Sequence, residues 1–276
     1  MHSWKQQPSN SLVAKYVDCY WFLEKTSLDS GLDYPKLNPD PSGTLILASA
    51  AQSYHYDLHD NVARGMGCHL LMPNTSVITM DHSKPFLILG IKFKVGALYS
   101  LKFNQIYALI NSIVGNENCL PPELNAKAMQ ALLNNNTEQI TRICETLDQW
   151  LLPWIKKSHE DQHSALVRQI VSLMGTTPIY KIGQTLNCSQ RTAERAFRRV
   201  TGMTMKQHES MIRFEALLAY LYQTKEKQVN WADTAAQFDF SDQPHLIRYL
   251  KATVGVTPMD YLKHRNITID VYGDFE

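Results

Sequence analysis

Two clusters of side chains in the C-terminal third of the chain could recognise a polyanion. The first is Gln190, Arg191, Glu194, Arg195, Arg198 and Arg199; the second is Gln243, His245, Arg248 and Lys251. Their spacing puts each cluster on one side of a helix, leaving the opposite side for apolar residues. An arginine early in such a helix can donate two parallel hydrogen bonds to guanine, so Arg191 and Arg195 are expected to read bases, and Gln243 can pair with adenine. Arg198, Arg199 and Lys251 come late in their helices, where phosphate is the expected contact. Glu194 has two readings, accepting from cytosine N4 or holding Arg198 through an i, i+4 ion pair, and the second is preferred.

Each cluster needs a partner helix and a tight turn to present it. Ile179, Ile182 and Leu186 form an apolar stripe, Asn187-Cys188 make the turn, and Ser189 is a good N-cap for a helix burying Ala193, Phe197 and Val200. The plan repeats with Val229, Ala232 and Ala236 inward, a turn at Asp239, Ser241 or Asp242 as cap, and Leu246 and Leu250 inward. Asn187 and Asp239 are types that tolerate a left-handed turn. The copies align at an offset of 52 from Leu186-Asn187-Cys188-Ser189 to Phe238-Asp239-Phe240-Ser241, and at 53 from Gly202-Met203-Thr204-Met205 to Gly255-Val256-Thr257-Pro258. Two copies suit a duplicated helical subdomain rather than a solenoid.

At these residues the chain resembles the AraC/XylS family of bacterial transcription regulators. The run from Ala232 and Ala236 through Phe238, Phe240-Ser241-Asp242-Gln243-Pro244-His245-Leu246, Arg248, Leu250-Lys251 and Gly255-Val256-Thr257-Pro258 to Tyr261 covers most of that family's second motif in order. Departures are Asn187 and Asp239 for glycine, Ala193 for leucine, Met205 for proline, and Leu246 and Leu250 for phenylalanine. In the N-terminal half, Tyr16 to Phe22, Asn38-Pro39-Asp40 and Leu89-Gly90-Ile91-Lys92-Phe93 resemble the sensor region of one branch of the family. The resemblance implies two recognition helices entering successive major grooves on one face of duplex promoter DNA. It also implies a small-molecule effector, a homodimer and RNA polymerase as partners, with activation favoured over repression.

The rest of the chain fits a two-domain protein. At 276 residues it holds roughly two domains of about 150 residues. Short strands are expected at Val17 to Leu23, Thr44 to Ala48, Ser53 to Leu58, Cys68 to Met72, Ser76 to Met80 and Phe86 to Phe93, separated by turns at Pro35, Pro39-Asp40-Pro41 and Gly43. They predict an N-terminal α+β domain, a small β-barrel or curled sheet over 1–95 followed by helices over 97–157, with helical spacing at Leu98, Leu101, Leu109 and Ile113. Helices are expected to continue from Glu123 to Trp154, with breaks near Asn134-Asn135-Asn136 and at Pro153. The uniformly polar stretch 156–164 is the best linker candidate, and the linker region is placed at 158–170. Residues 171–276 form the all-α DNA-binding domain, with helix-turn-helix copies near 179–200 and 229–252.

Composition narrows the class. Charged residues make up 19% and hydrophobic residues 44%, enough to build cores. The net charge of +1 conceals a basic segment, 175–265, with 13 Lys and Arg against 8 Asp and Glu. The five cysteines include no C-x-x-C pair, which argues against a disulfide framework or structural zinc. No signal peptide or membrane span is expected, so the location is read as cytoplasmic. No cofactor is expected.

Other signals carry less weight. Tyr20, Trp21 and Lys92 are candidate effector contacts, although strand aromatics are more often core and Lys92 with Lys94 more often a solvated face. His55-x₃-His59 beside Cys68-His69 lacks the His-x-His pair and following glutamate of a cupin metal site. A metal-dependent enzyme in the N-terminal barrel, with accessory DNA binding, is the alternative; the reading adopted is that the chain is not an enzyme. His159-Glu160-Asp161-Gln162-His163 matches H-E-x-x-H formally, but its polar surroundings and charged Asp161 do not suit a zinc protease helix. Replacing His159 and His163 together with Ala should therefore leave metal content, thermal melting and DNA binding unchanged. Loss of a stoichiometric metal, read by elemental analysis, would contradict this.

Overall fold

Alternation along three central strands determines the architecture of the N-terminal half. The computed structural model describes residues 2–29, 32–58, 61–102, 109–115, 140–224, 229–263 and 268–269. Strands β1 (His2–Gln6), β2 (Val17–Lys25), β9 (Phe86–Phe93), β4 (Thr44–Ala48), β7 (His69–Leu71) and β10 (Ile113–Gly115) lie side by side in that order in one sheet. The second sheet runs β11 (Thr268–Ile269), β3 (Lys36–Leu37), β8 (Ile78–Met80), β5 (Ser53–Leu58), β6 (Asn61–Met66).

Residues two apart on a strand point to the same face. Tyr20 and Phe22 of β2, Leu45 and Leu47 of β4, and Leu89, Ile91 and Phe93 of β9 therefore share one core. Cys19, Trp21, Leu23 and Ile46 point the other way, to meet Tyr56, Leu58, Ile78 and Met80 of the second sheet. A sheet that is apolar on both faces needs two covers. The second sheet is one, and helices α1 (Ala97–Ser100) and α2 (Ile140–Lys156) with the segment before β2 supply the other. This layering corrects the barrel expectation, since the two sheets are open and do not close into a barrel.

Helix α2 is fastened by a buried carboxylate. Asp148 accepts from the backbone N–H groups of Ser9 and Asn10 at 2.9 and 2.8 Å and from the Tyr20 hydroxyl at 2.7 Å. Burial, and then the negative charge of Asp148, push the Tyr20 phenol far above its ordinary range.

Three further expectations change. Ile113–Gly115 is a strand paired antiparallel with β7, so the helical spacing read from Leu109 to Ile113 is a coincidence of short apolar runs. Helix α2 continues through Pro153, which sits on the exposed face, where the carbonyl freed at the exposed Gln149 can be hydrated. Much of the expected linker is helix α3 (Gln162–Leu173), because Asp161 caps it by accepting from His163 N and Ser164 N while Ser164 returns the capping-box bond. Val167 and Ile170 of α3 pack into the C-terminal core. The expected helix over 123–139, with its break near Asn134 to Asn136, and His59 lie outside the described residues.

The C-terminal part is helical as far as Lys263: α4 (Ile179–Thr185), α5 (Gln190–Thr201), α6 (Met205–Gln223), α7 (Trp231–Gln237), α8 (Gln243–Val254) and α9 (Pro258–Lys263) follow α3, whereas Thr268–Ile269 return to the second sheet as β11, which corrects the all-α expectation at the end of the chain. It has two cores, one around Phe197, Val200 and Met211, the other around Phe214, Phe240, Leu246 and Leu250. Helix α6 contributes to both. Among the described helices none is long and apolar enough to cross a membrane.

Gly90 makes the closest approach in the sheet. A Cβ there would lie 1.9 Å from the Trp21 ring. Gly90→Ala should therefore cost about 1–3 kcal/mol by overpacking, read as a lower denaturant midpoint with an unchanged slope. An unchanged midpoint would contradict the contact.

Candidate nucleic-acid interface

Each recognition helix is positioned by a left-handed turn residue and a side-chain cap. Asn187 has φ 53° and Asp239 has φ 55°, the conformation expected of these types between tightly joined helices. In the first copy the turn is compact: a Cβ on Gly183 would come within 2.8 Å of Gln190 N and 3.0 Å of Cys188 O. Ser189 Oγ then accepts from Thr192 N at 3.1 Å, capping α5. In the second copy Asp242 is the cap, accepting from His245 N at 2.6 Å. Both helices end at a left-handed glycine, Gly202 and Gly255.

With the ends fixed, the apolar stripes determine which side chains face out. Ala193, Ala196, Phe197 and Val200 of α5 are buried, as are Leu246, Leu250 and Val254 of α8. Arg191, Glu194, Arg195, Arg198 and Arg199 are exposed on α5, and Gln243, Arg248 and Lys251 on α8. Gln190 and His245 are half-buried and already engaged. Gln190 accepts from Gly183 N at 3.2 Å and donates to Glu194 at 3.2 Å. His245 Nδ1 lies 3.1 Å from the Ser241 hydroxyl, with its ring edge-on to Phe240.

Several details differ from the sequence reading. Glu194 forms no ion pair with Arg198 among the described residues; its partner is Gln190, one turn earlier. In α7 the buried residues are Thr234 and Ala235, whereas Ala232 and Ala236 are exposed. Alanine is too small to fix a helix face, and Thr234 can be buried because its hydroxyl donates to Asn230 O at 2.8 Å. Arg199, expected at phosphate, donates from Nε to the Tyr99 hydroxyl at 3.2 Å, and that hydroxyl donates to Asp161 at 2.7 Å.

The three candidate effector contacts separate. Tyr20 and Trp21 are core residues on opposite faces of β2. Lys92 faces a cleft of about 1120 Å³ between the two domains, lined also by Tyr16, Asn38 and Asp40 from one side and by Arg168, His208 and Glu215 from the other. Lys92 is not on a solvated face: its ammonium pairs with Asp40 at 2.8 Å and both are largely buried. Burial pulls the Lys92 pKa down, but Asp40 outweighs it and the net shift is upward. His208 Nδ1 and Asn38 Oδ1 are buried without hydrogen-bond partners. Burial lowers the His208 pKa to about 4, so the ring is neutral at pH 7. At the rim Glu160 holds Arg168 by two bonds of 2.6 Å. Burial opposes ionisation of Glu160, yet Arg168 and Ser164 bring its pKa down to about 2. Sequence reasoning missed His208, which sits in a helix between the two copies with nothing local to mark it. Asp40 was visible only as part of Asn38-Pro39-Asp40.

Residues 182–264 match the model of a helix-turn-helix domain family. No curated protein matches the chain. Among solved structures the chain is similar to ToxT from Vibrio cholerae, at 13% identity over 88% of this chain and 98% of that one, TM-score 0.46. It is also similar to ToxT of Vibrio cholerae strain SCE256 bound to an unsaturated fatty acid, at 12% identity over 94% of this chain and 93% of that one, TM-score 0.44. The C-terminal domain of AraT, a response regulator from Geobacillus stearothermophilus, is 20% identical over 42% of this chain and 97% of that one, TM-score 0.32.

In this domain, Arg195 and Arg248 occupy matching exposed positions, each two residues before a buried anchor, Phe197 or Leu250. Replacing either arginine with Ala should cost about 1–3 kcal/mol of discrimination at a base pair in its own half-site, with little change in melting. Phe197→Ala should instead cost about 3–5 kcal/mol of stability and weaken all sequences alike. Binding-site selection beside thermal melts checks both; a uniform loss over all sequences for the arginine variants would place those side chains at phosphates.

Proposed function

We propose that the chain is a sequence-specific, effector-responsive transcription regulator that binds promoter DNA through α5 and α8. The observation that carries this reading is the pair of capped helices, each presenting an exposed basic face beyond a left-handed turn. In this reading Arg191, Arg195, Gln243 and Arg248 meet base edges. Arg198 and Lys251 meet phosphates, and Arg199 joins them once released from Tyr99. Gln190, Glu194 and His245 act chiefly by holding the turns and the outward arginines in place.

The N-terminal part, 1–157, serves as the sensor or dimerisation domain, and 171–276 as the DNA-binding domain. The effector is a small molecule taken into the cleft at Lys92, where polar groups without partners await one. Tyr20 and Trp21 support that wall from within the cores. Activation through RNA polymerase and a homodimer complete the proposal.

Salt dependence is the direct check on the DNA reading. If roughly five to seven phosphates are neutralised, the plot of log K against log salt for the full chain on a selected duplex should slope at about −4 to −6. A slope near zero would contradict binding through this basic face.

A further inference from the structure

We propose that Lys36, in the N-terminal sheet, is a positioning residue that sets the distance between the two half-sites the regulator accepts. Its Nζ donates to the carbonyl of Val254 at 2.5 Å, and Val254 is the last residue of recognition helix α8. The ammonium sits where the helix leaves its final carbonyls unpaired and the dipole favours a cation. Gly255 leaves room for it: a Cβ there would be 2.9 Å from Lys36 Nζ.

The other end of this tie is firm. Lys36 is paired through its backbone with Thr79 of β8 on one side and Thr268 of β11 on the other. The next residue, Leu37, is buried in the core between the sheets. Lys36 therefore extends from a fixed strand to the end of a helix 218 residues away in sequence.

The first recognition helix is held at the same end by different means. Tyr99 belongs to the core of the first copy and its hydroxyl accepts from Arg199, while Gly96 abuts Val200, whose Cγ1 would be 2.8 Å from an added Cβ. Both recognition helices are thus tied to the N-terminal domain at their C-terminal ends, leaving their capped N-termini to the DNA. Since the two copies have separate cores joined through α6, their mutual angle depends on that helix, on these ties and on the pairing of β11, which follows α9, with β3. Loosening the Lys36 tie lets α8 swing while its own packing stays intact.

The inference rests on the DNA-binding reading, and the test separates the two. Full-length wild type, Lys36→Met and Lys36→Arg are each used to select sites from a random duplex pool, and their melting curves are recorded. Wild type should select one spacing between half-sites. Lys36→Met should accept neighbouring spacings and bind the wild-type consensus several-fold more weakly, with base preferences within each half unchanged and melting unaltered. Lys36→Arg should restore the single spacing. If Lys36→Met selects the wild-type spacing with wild-type affinity, the positioning role is wrong. It is also wrong if Met and Arg variants melt early alike, which would make Lys36 a packing residue. Failure of wild type to select any site would overturn the DNA-binding reading and this inference with it.

Discussion

Helix α6 has to satisfy two cores at once, and the geometry of the C-terminal domain follows from that demand. Met205 and Met211 lie in the core of the first helix-turn-helix, while Phe214, Leu217, Leu218 and Leu221 lie in the core of the second. Met211 and Phe214 are only three positions apart, so the two cores are joined by less than one helical turn. The 19 residues of α6 make a spacer of about 28 Å. Successive major grooves on one face of a duplex are roughly 34 Å apart, a comparable distance. The Thr204–Gln207 capping box fixes where this spacer begins. This continuous helix, buried along one side, joins two small helix-turn-helix units, and in the proposed function it makes them one reader of two grooves.

In the proposed function the N-terminal domain adds control to that frame. Its first sheet is apolar on both faces and is covered by a second sheet and by helices, so its strands are poor places for a ligand. The cleft between the domains is different. It holds a buried Lys92–Asp40 pair and two partnerless polar atoms, and its far wall includes His208 on α6 itself. Anything that enters this cleft touches the helix that spaces the recognition elements. The Tyr99–Asp161–Arg199 contacts and the Lys36 tie bracket the cleft, giving occupancy a mechanical route to α5 and α8.

The parts legible in the sequence were those with strong local chemistry. Asn187 and Asp239 announced left-handed turns, Ser189 announced a cap, and six apolar strands were found within about two residues of their ends. What stayed hidden depended on tertiary context. Edge strands such as Asn61–Met66 are polar and exposed, and pairing alone defines them. Pro153 read as a break because the exposed side of α2 could not be known. The supposed linker ran into a capped helix because the polar run 156–164 includes its cap and first turn, ahead of the buried Val167 and Ile170. Lys92 looked solvated because its partner Asp40 is 52 positions away. Among the site residues, the exposed arginines were legible from amphipathic spacing, whereas the engagement of Arg199 by Tyr99 spans 100 positions and has no local signature.

Hydroxyl-radical footprinting of the full-length chain on a selected duplex tests the two-groove arrangement most directly. Two recognition helices joined by α6 should protect two short stretches on one face, with centres about 10 base pairs apart. A single protected stretch, or two on opposite faces of the duplex, would contradict it.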